Sequence, residues 1–489
     1  MHDSSGNIAK KLDFRANTAE LVILITGAII RLIYVLGSTI YERQYDIGQI
    51  SLDAGHTVSG GHLAYIQYLY ENLHLPDVDP TTVYQFHHPP VHHYICALWM
   101  KFLSLFIHNN AILEESIQVV PFVFSLITLY FLYRILKEFE VKGYMMCISL
   151  AIFAFHPALI LLSGSVNNDC TAMAFTVMTI YYFLRWIKDH SYKNIILTAL
   201  FLGLGISTKQ NVAELAFPMA VCFVIELFKV VLKKQLVLQY ICFGAISIPL
   251  GMWFYIRNLI KYNMSILWVY ELPKDSWQYT GNVPVINRFL WPVPAEMIDN
   301  LKHFKIGCGY NVWMQIMRTS VLGEWDMASA GKGIKVLAVF LMLLGALIAV
   351  AAFVSLFGFI ETYFVKADLK KDKESSIRND DESGVKNDDE ISVKNDRELG
   401  VNEGSKIQAL FIIISYLTTM IFYLVFVYKY PQECSMNFRY ITITLLFTVL
   451  SLGKWGFIEK NKKVKSGFSV LLFGFILFSV LMTGVWIKG

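Results

Sequence analysis

Two acids and several cations stand where an apolar chain is least able to hide them. Asp46 lies in Gln44-Tyr45-Asp46-Ile47-Gly48 and Asp169 closes Asn167-Asn168-Asp169, each at the edge of a long apolar run. Lys209, Arg257 and Arg439 stand at the edges of other runs, and Arg31 lies midway along the first. Ionisable groups at membrane depth are costly to bury, so they are read first as functional. Acids and cations gathered at one depth have the parts for acid-base transfer: a carboxylate takes a proton from a hydroxyl and cations steady an anionic leaving group. Each residue also has a plainer reading alone. A single outward Asp is also a turn former, Lys209 and Arg257 also suit snorkelling at a helix end, and Arg31 also suits pairing inside a bundle.

The string Phe86-His87-His88-Pro89-Pro90-Val91-His92-His93 puts four imidazoles in seven residues. Neighbouring histidines point to different faces, and the two prolines set a turn that opens a helix. That spacing favours a structural opening with one functional histidine over a zinc site.

Positioning such groups falls to membrane helices. Of 489 residues 55% are hydrophobic and only 16% charged, with a mean hydropathy of +0.48. That excludes soluble, disordered and collagen-like chains. The 42 Lys and Arg against 38 Asp and Glu leave +4, with no basic footprint for nucleic acid. A span needs roughly 20 apolar residues. Eleven runs qualify: 20–40, 116–136, 144–164, 170–186, 194–208, 212–227, 236–255, 334–360, 407–427, 438–452 and 467–487. A twelfth, Val91 to Ile107, would invert everything after it. Leaving it out places Lys10, Arg15, Arg134, Lys137, Arg185, Lys188, Lys229, Lys233 and the 454–465 lysines on one side, as the positive-inside rule asks. It is therefore expected as an interfacial or re-entrant helix against the outer leaflet.

The expectation is an all-α polytopic membrane protein of about eleven spans with a large outer first loop. Residues 1–19 would be a cytoplasmic tail, 20–364 a catalytic core with outer loops 41–115 and 257–332, and 407–489 a C-terminal helix group. Between the two groups, 365–406 carries an eight-residue repeat and 21 charges, too polar for a core, and reads as a disordered inner linker. The polar first 19 residues read as a retained tail rather than a cleaved signal. Seven cysteines show no metal spacing; Cys308 and Cys434 share a side and could pair.

Several strings together resemble the C-type membrane glycosyltransferases that use polyprenyl-phosphate sugars, in the protein O-mannosyltransferase and aminoarabinose-transferase branch. They are Asp46 soon after the first span, His88-Pro89-Pro90, Ser163 to Asp169, Gly203-Leu204-Gly205-Ile206-Ser207-Thr208-Lys209, Trp253 to Asn258, and Asn437-Phe438-Arg439-Tyr440. The resemblance implies an extracytoplasmic site between the first outer loop and the bundle. In it Asp46 would be the catalytic base and Asp169 the second acid, orienting the acceptor or a cation. Arg439, Arg257 and Lys209 would bind the donor phosphate, and His88, Tyr45, Asn168 and Glu324, in Ser320-Val321-Leu322-Gly323-Glu324, the substrates. One departure is that Asn167-Asn168-Asp169 offers a single carboxylate where the oligosaccharyltransferase branch carries a metal motif, so the resemblance implies no definite cofactor and leaves a divalent cation as an open alternative.

The implied partners are a polyprenyl-phosphate sugar, a protein, lipid or glycan acceptor, and membrane lipid. The implied reaction is an inverting transfer to a hydroxyl. Aromatic residues of the outer loops, Tyr45, Tyr84, Trp268, Trp277, Trp291 and Trp313, would stack on sugar or acceptor, or else form an interfacial belt. The implied place is the cell membrane of a bacterium or the endoplasmic reticulum of a eukaryote. A transporter or flippase of lipid-linked sugars is the main alternative, although no paired repeat of the transporter kind occurs. A receptor or scaffold for such a lipid is the other.

Overall fold

In lipid every backbone N–H and C=O must be bonded within its own segment, so long apolar runs become helices. The computed structural model of the protein describes residues 17–41, 46–48, 50–53, 56–229, 233–290, 309–325, 329–365, 403–455 and 457–488. Tyr45, Trp291, Cys308 and nearly all of the expected linker lie outside them. The helices that frame the site are α1 Thr18–Gly37, α2 His62–Asn72, α3 Val91–Ser104, α4 Val119–Glu138, α5 Gly143–Ala154, α6 Pro157–Leu162, α7 Asp169–Asp189 and α8 Tyr192–Ile206. They continue as α9 Ala216–Lys229, α10 Lys233–Tyr262, α11 Val312–Leu322, α12 Lys332–Ile360, α13 Glu403–Lys429, α14 Thr444–Lys454 and α15 Lys462–Lys488. Among the described residues the only sheet is an antiparallel pair, Ile50–Asp53 with His56–Val58.

The chain is a multi-pass membrane protein. Eight helices among the described residues are long and apolar enough to cross a membrane, or nine if the bent pair Cys434–Ile441 and Thr444–Lys460 is one span; α5 and α8 are shorter. Every one of the eleven expected runs falls on a helix or a broken pair. Val91 to Ile107 yields only the 14-residue α3, packed on α2 and too short to cross a core about 30 Å thick.

Ion pairs at one end of the bundle agree with the expected alternation of spans. At the start of α1, Glu20 meets Lys137 at the end of α4, 3.1 Å away. Glu138 meets Lys188 at 3.1 Å and Arg185 at 3.6 Å, both at the end of α7. His190, after α7, lies 3.0 Å from Glu226 near the end of α9. Asp46, which follows α1, and Asp169, which begins α7, therefore fall at the opposite end. The ring of Phe139 lies 6.1 Å from those of Phe359 and Tyr363, so the segment after α12 leaves from the Glu20 end.

The third expected span is broken between α5 and α6. Pro157 brings no N–H for the carbonyl of Phe153, and it takes the first position of a new helix. Arg31 covers the gap: its guanidinium donates to the carbonyls of Ala154 at 2.5 Å, Phe153 at 3.5 Å and Gly27 at 2.8 Å. The mid-span cation is thus a structural partner of freed backbone groups. Further in, α7 is buried along most of its length, with α4, α8 and α13 around it. On its partner α8, Gly203 lets α10 come close, since a Cβ there would meet that of Leu250 at 2.9 Å.

Candidate active site

The loop after α1 is fixed by the start of α2. Backbone N–H groups of His62 and Leu63 donate to the carbonyls of Asp46 at 3.0 Å and Ile47 at 3.1 Å. Gly61, with φ +106, makes this approach possible, because a Cβ there would run into the Ile47 carbonyl and Gly48. Its own N–H donates to the Tyr84 carbonyl at 2.8 Å, which ties in the segment leading to the histidines. Asp46 itself has φ 56, a left-handed conformation that Asp tolerates better than most residues.

The remaining charges arrive from three helix ends. Asn167 accepts from the Asp169 N–H at 3.1 Å and donates to its Oδ2 at 2.9 Å, and Asn168 donates to the Thr208 carbonyl at 2.8 Å, joining the start of α7 to the end of α8. The Val91 N–H donates to the Ser207 carbonyl at 3.0 Å, docking α3 on the same end. His92 bridges to α7 with Nδ1 2.8 Å from Thr171 Oγ1 and Nε2 2.8 Å from the Val166 carbonyl. Asn437 caps the turn before α14, accepting from the Arg439 N–H at 3.0 Å, and donates to Glu324 Oε1 at 2.6 Å.

The result is two acids interleaved with two cations. Arg439 Nη2 is 2.7 Å from Asp46 Oδ2, and Nη1 is 3.7 Å from Asp169 Oδ2. Lys209 donates to Asp169 Oδ1. Tyr84 donates its hydroxyl to Asp46 Oδ1 at 2.6 Å. Burial alone would raise the Asp46 carboxyl, but the Arg439 charge and the Tyr84 and Arg439 hydrogen bonds outweigh it and hold it below the ordinary value. Glu324 moves the other way, burial pushing it up against the Arg439 charge.

These groups line a cavity of about 1000 Å³. Its polar wall holds Asp46, Tyr84, His62, His87, His88 and Asn168; the wall toward the helices carries Ile206, Met252, Tyr255, Phe422, Val425 and Phe426. His88 stacks near His62, ring centres 5.3 Å apart, and His62 Nδ1 is 2.8 Å from His93 Nε2. Burial pulls His87 down to about 4, and His62 and His88 well below the ordinary imidazole value, so these three imidazoles are neutral at pH 7.

Asp46, Asp169, Lys209, Arg439, His88, Asn168 and Glu324 all line this one cavity. Arg257 is a correction. Its guanidinium donates to Asn258 Oδ1 at 2.8 Å and to the Pro76 carbonyl at 3.1 Å, and it is not on the cavity wall. The α10 helix runs on to Tyr262, carrying position 257 past the site to brace the 76–77 turn. Tyr84 bonds Asp46 instead of standing free to stack. Trp268 and Trp277 line the cavity, whereas Trp313 donates to the Phe289 carbonyl at 2.7 Å away from it. Cys434 is a free thiol. The sequence reading missed His62, and also the pair of Arg318 with Glu433, 3.3 Å apart, both of which line the cavity. The Gly60-Gly61 step before His62 was the only signal.

Residues 87–253 match the family described as dolichyl-phosphate-mannose-protein mannosyltransferase. The match, about a third of the chain, bears out the resemblance read from the sequence and agrees with a glycosyltransferase. The mannosyltransferase-like stretch contains Asp169 and Lys209; Asp46 and Arg439 lie on either side of it. No curated protein matches the chain. Among solved structures it is similar to the Archaeoglobus fulgidus oligosaccharyltransferase complex with Zn and sulfate, at 13% identity and a TM-score of 0.46, over 94% of this chain and 53% of that one. ArnT from Cupriavidus metallidurans is similar in the apo state at 13% identity and 0.38, over 89% and 77% of the two chains. The same ArnT bound to undecaprenyl phosphate gives 13% and 0.36, over 90% and 77%. The protein thus spans about half the length of the archaeal oligosaccharyltransferase.

Among the described residues no three His, Cys, Asp or Glu side chains converge on one point. Both acids already face protein cations, where a metal would have to stand.

Proposed function

We propose that the protein transfers a sugar from a polyprenyl-phosphate donor to an acceptor hydroxyl on the extracytoplasmic side. The observation that carries this reading is the Asp46–Arg439 pair, set with Asp169 and Lys209 in a cavity that is polar on one wall and apolar on another. A prenyl chain suits the apolar wall, and its phosphate then stands at the depth of Arg439 and Lys209. Asp46 takes the acceptor proton as the new oxygen–carbon bond forms at the anomeric centre. The bond from that carbon to the phosphate oxygen breaks with its electron pair, and polyprenyl phosphate leaves. Attack from the face opposite the leaving group inverts the centre, as in inverting glycosidases. Cations steady the departing phosphate, so no general acid is needed there. Asp169 orients the acceptor, the neutral wall of His88 and Asn168 hydrogen-bonds sugar hydroxyls, and Glu324 closes the acceptor side.

The test is to incubate purified protein with a panel of polyprenyl-phosphate sugars and candidate acceptors and follow polyprenyl phosphate. Acceptor-dependent release is the expected result. Movement of the donor across vesicles with no release would make the protein a carrier instead.

A further inference from the structure

We infer that Arg439 masks Asp46 until the donor arrives, and that the donor phosphate draws the guanidinium away and so turns the base on. This rests on the proposed roles of Asp46 and Arg439. Both oxygens of Asp46 already accept strong bonds, Oδ2 from Arg439 at 2.7 Å and Oδ1 from the Tyr84 hydroxyl at 2.6 Å. Asp169 is likewise taken, by Lys209 and by Asn167. Two negative and two positive charges balance, and a carboxylate so held is a poor base for a hydroxyl proton.

A phosphodiester brings one more negative charge into this balanced set. Among the described residues the other cations on the cavity wall are Arg318, 3.3 Å from Glu433, and Lys429, over the Tyr430 ring. The phosphate therefore meets Arg439 and Lys209 and must share them with the acids. A guanidinium presents several N–H groups in one plane, so Arg439 can turn from carboxylate to phosphate while staying in the cavity. Asp46 then keeps Tyr84 and loses the opposite charge, and its affinity for a proton rises. Among the described residues the other groups facing Asp46 are Lys209, Glu324, Cys434, Tyr440 and His87. None of these replaces a guanidinium at 2.7 Å. During transfer Asp46 takes the acceptor proton. When polyprenyl phosphate departs, Arg439 returns, the proton goes to solvent and the mask is restored.

Two pH profiles on the full-length protein decide this, using a polyprenyl-phosphate sugar and acceptor that support transfer. The kcat/KM for donor reports the free enzyme, and the kcat/KM for acceptor at saturating donor reports the donor complex. The expected acid limb lies at higher pH in the acceptor profile. At a pH on that limb, the acceptor parameter falls below its plateau by several-fold more than the donor parameter does. Superposed limbs overturn the inference. In Arg439→Gln the two limbs should merge at the higher position, and a gap that persists there also overturns it. If that variant does not fold, the comparison within the unaltered protein is sufficient. Absence of any acceptor-dependent release would sink the proposed function, whereas superposed limbs in an active enzyme sink only the masking.

Discussion

Arg257 and Lys209 look alike in the sequence, each a cation at the end of an apolar run, yet the structure separates them. Lys209 touches Asp169 inside the cavity, and Arg257 braces Pro76 outside it. Replacing Lys209 by Met should leave Asp169 with a weaker partner in a buried place and remove a phosphate ligand. A loss in kcat/KM for donor of about 100-fold or more is expected, the size seen when one preorganised charge partner is removed. Arg257→Met should change the same parameter by less than about tenfold, since its partners are a carbonyl and an amide rather than substrate. Equal losses in the two variants would put Arg257 back into the phosphate site. Asp46 and Asp169 were legible from their edges of apolar runs. Tyr84 was legible only as a stacking aromatic and His62 not at all, because their contacts with Asp46 and His88 are made across a loop, and residue type alone carries no trace of them.

At the scale of elements, the active loop depends on one helix start. The N–H groups of α2 hold the backbone of Asp46 and Ile47, and Gly61 supplies the space. Gly61→Ala must either shift that loop or strain a backbone at φ +106, at a cost on the order of 1–3 kcal/mol. The expected outcome is transfer activity reduced by about 5-fold or more, the rate equivalent of the lower end of that range, with a helical spectrum like that of the unaltered protein. Full activity would show that Asp46 does not need this clamp. The spans were readable because apolar length and lysine placement are properties of the chain itself. The break at Pro157 lay inside one expected run, and the role of Arg31 there depends on α5 carbonyls more than a hundred residues away. The repeat in 365–406 remains a proposed inner linker.

For the whole molecule, the loop region after α1 and the bundle meet over buried neutral histidines, and that has a pH consequence. Burial takes His87 and His92 down to about 4 from an ordinary 6.5. Between those values the unfolded chain binds protons that the folded one refuses, so stability is present in full above about 6.5 and is lost as pH falls toward 4. The melting temperature in detergent should drop through that window, and a flat curve would mean the imidazoles are not held neutral. The convergence of the ends of α1, α8 and α13 with the starts of α7 and α14 on one cavity is what makes the molecule an enzyme in this account. Its most direct test compares the protein with Asp46→Asn, reconstituted in vesicles containing a polyprenyl-phosphate sugar, by the rate of sugar transfer to acceptor. The account predicts that the variant inserts and folds as before but transfers more slowly by about 100- to 10,000-fold, the usual effect of losing a general base. Transfer at the unaltered rate by a folded Asp46→Asn protein would contradict it.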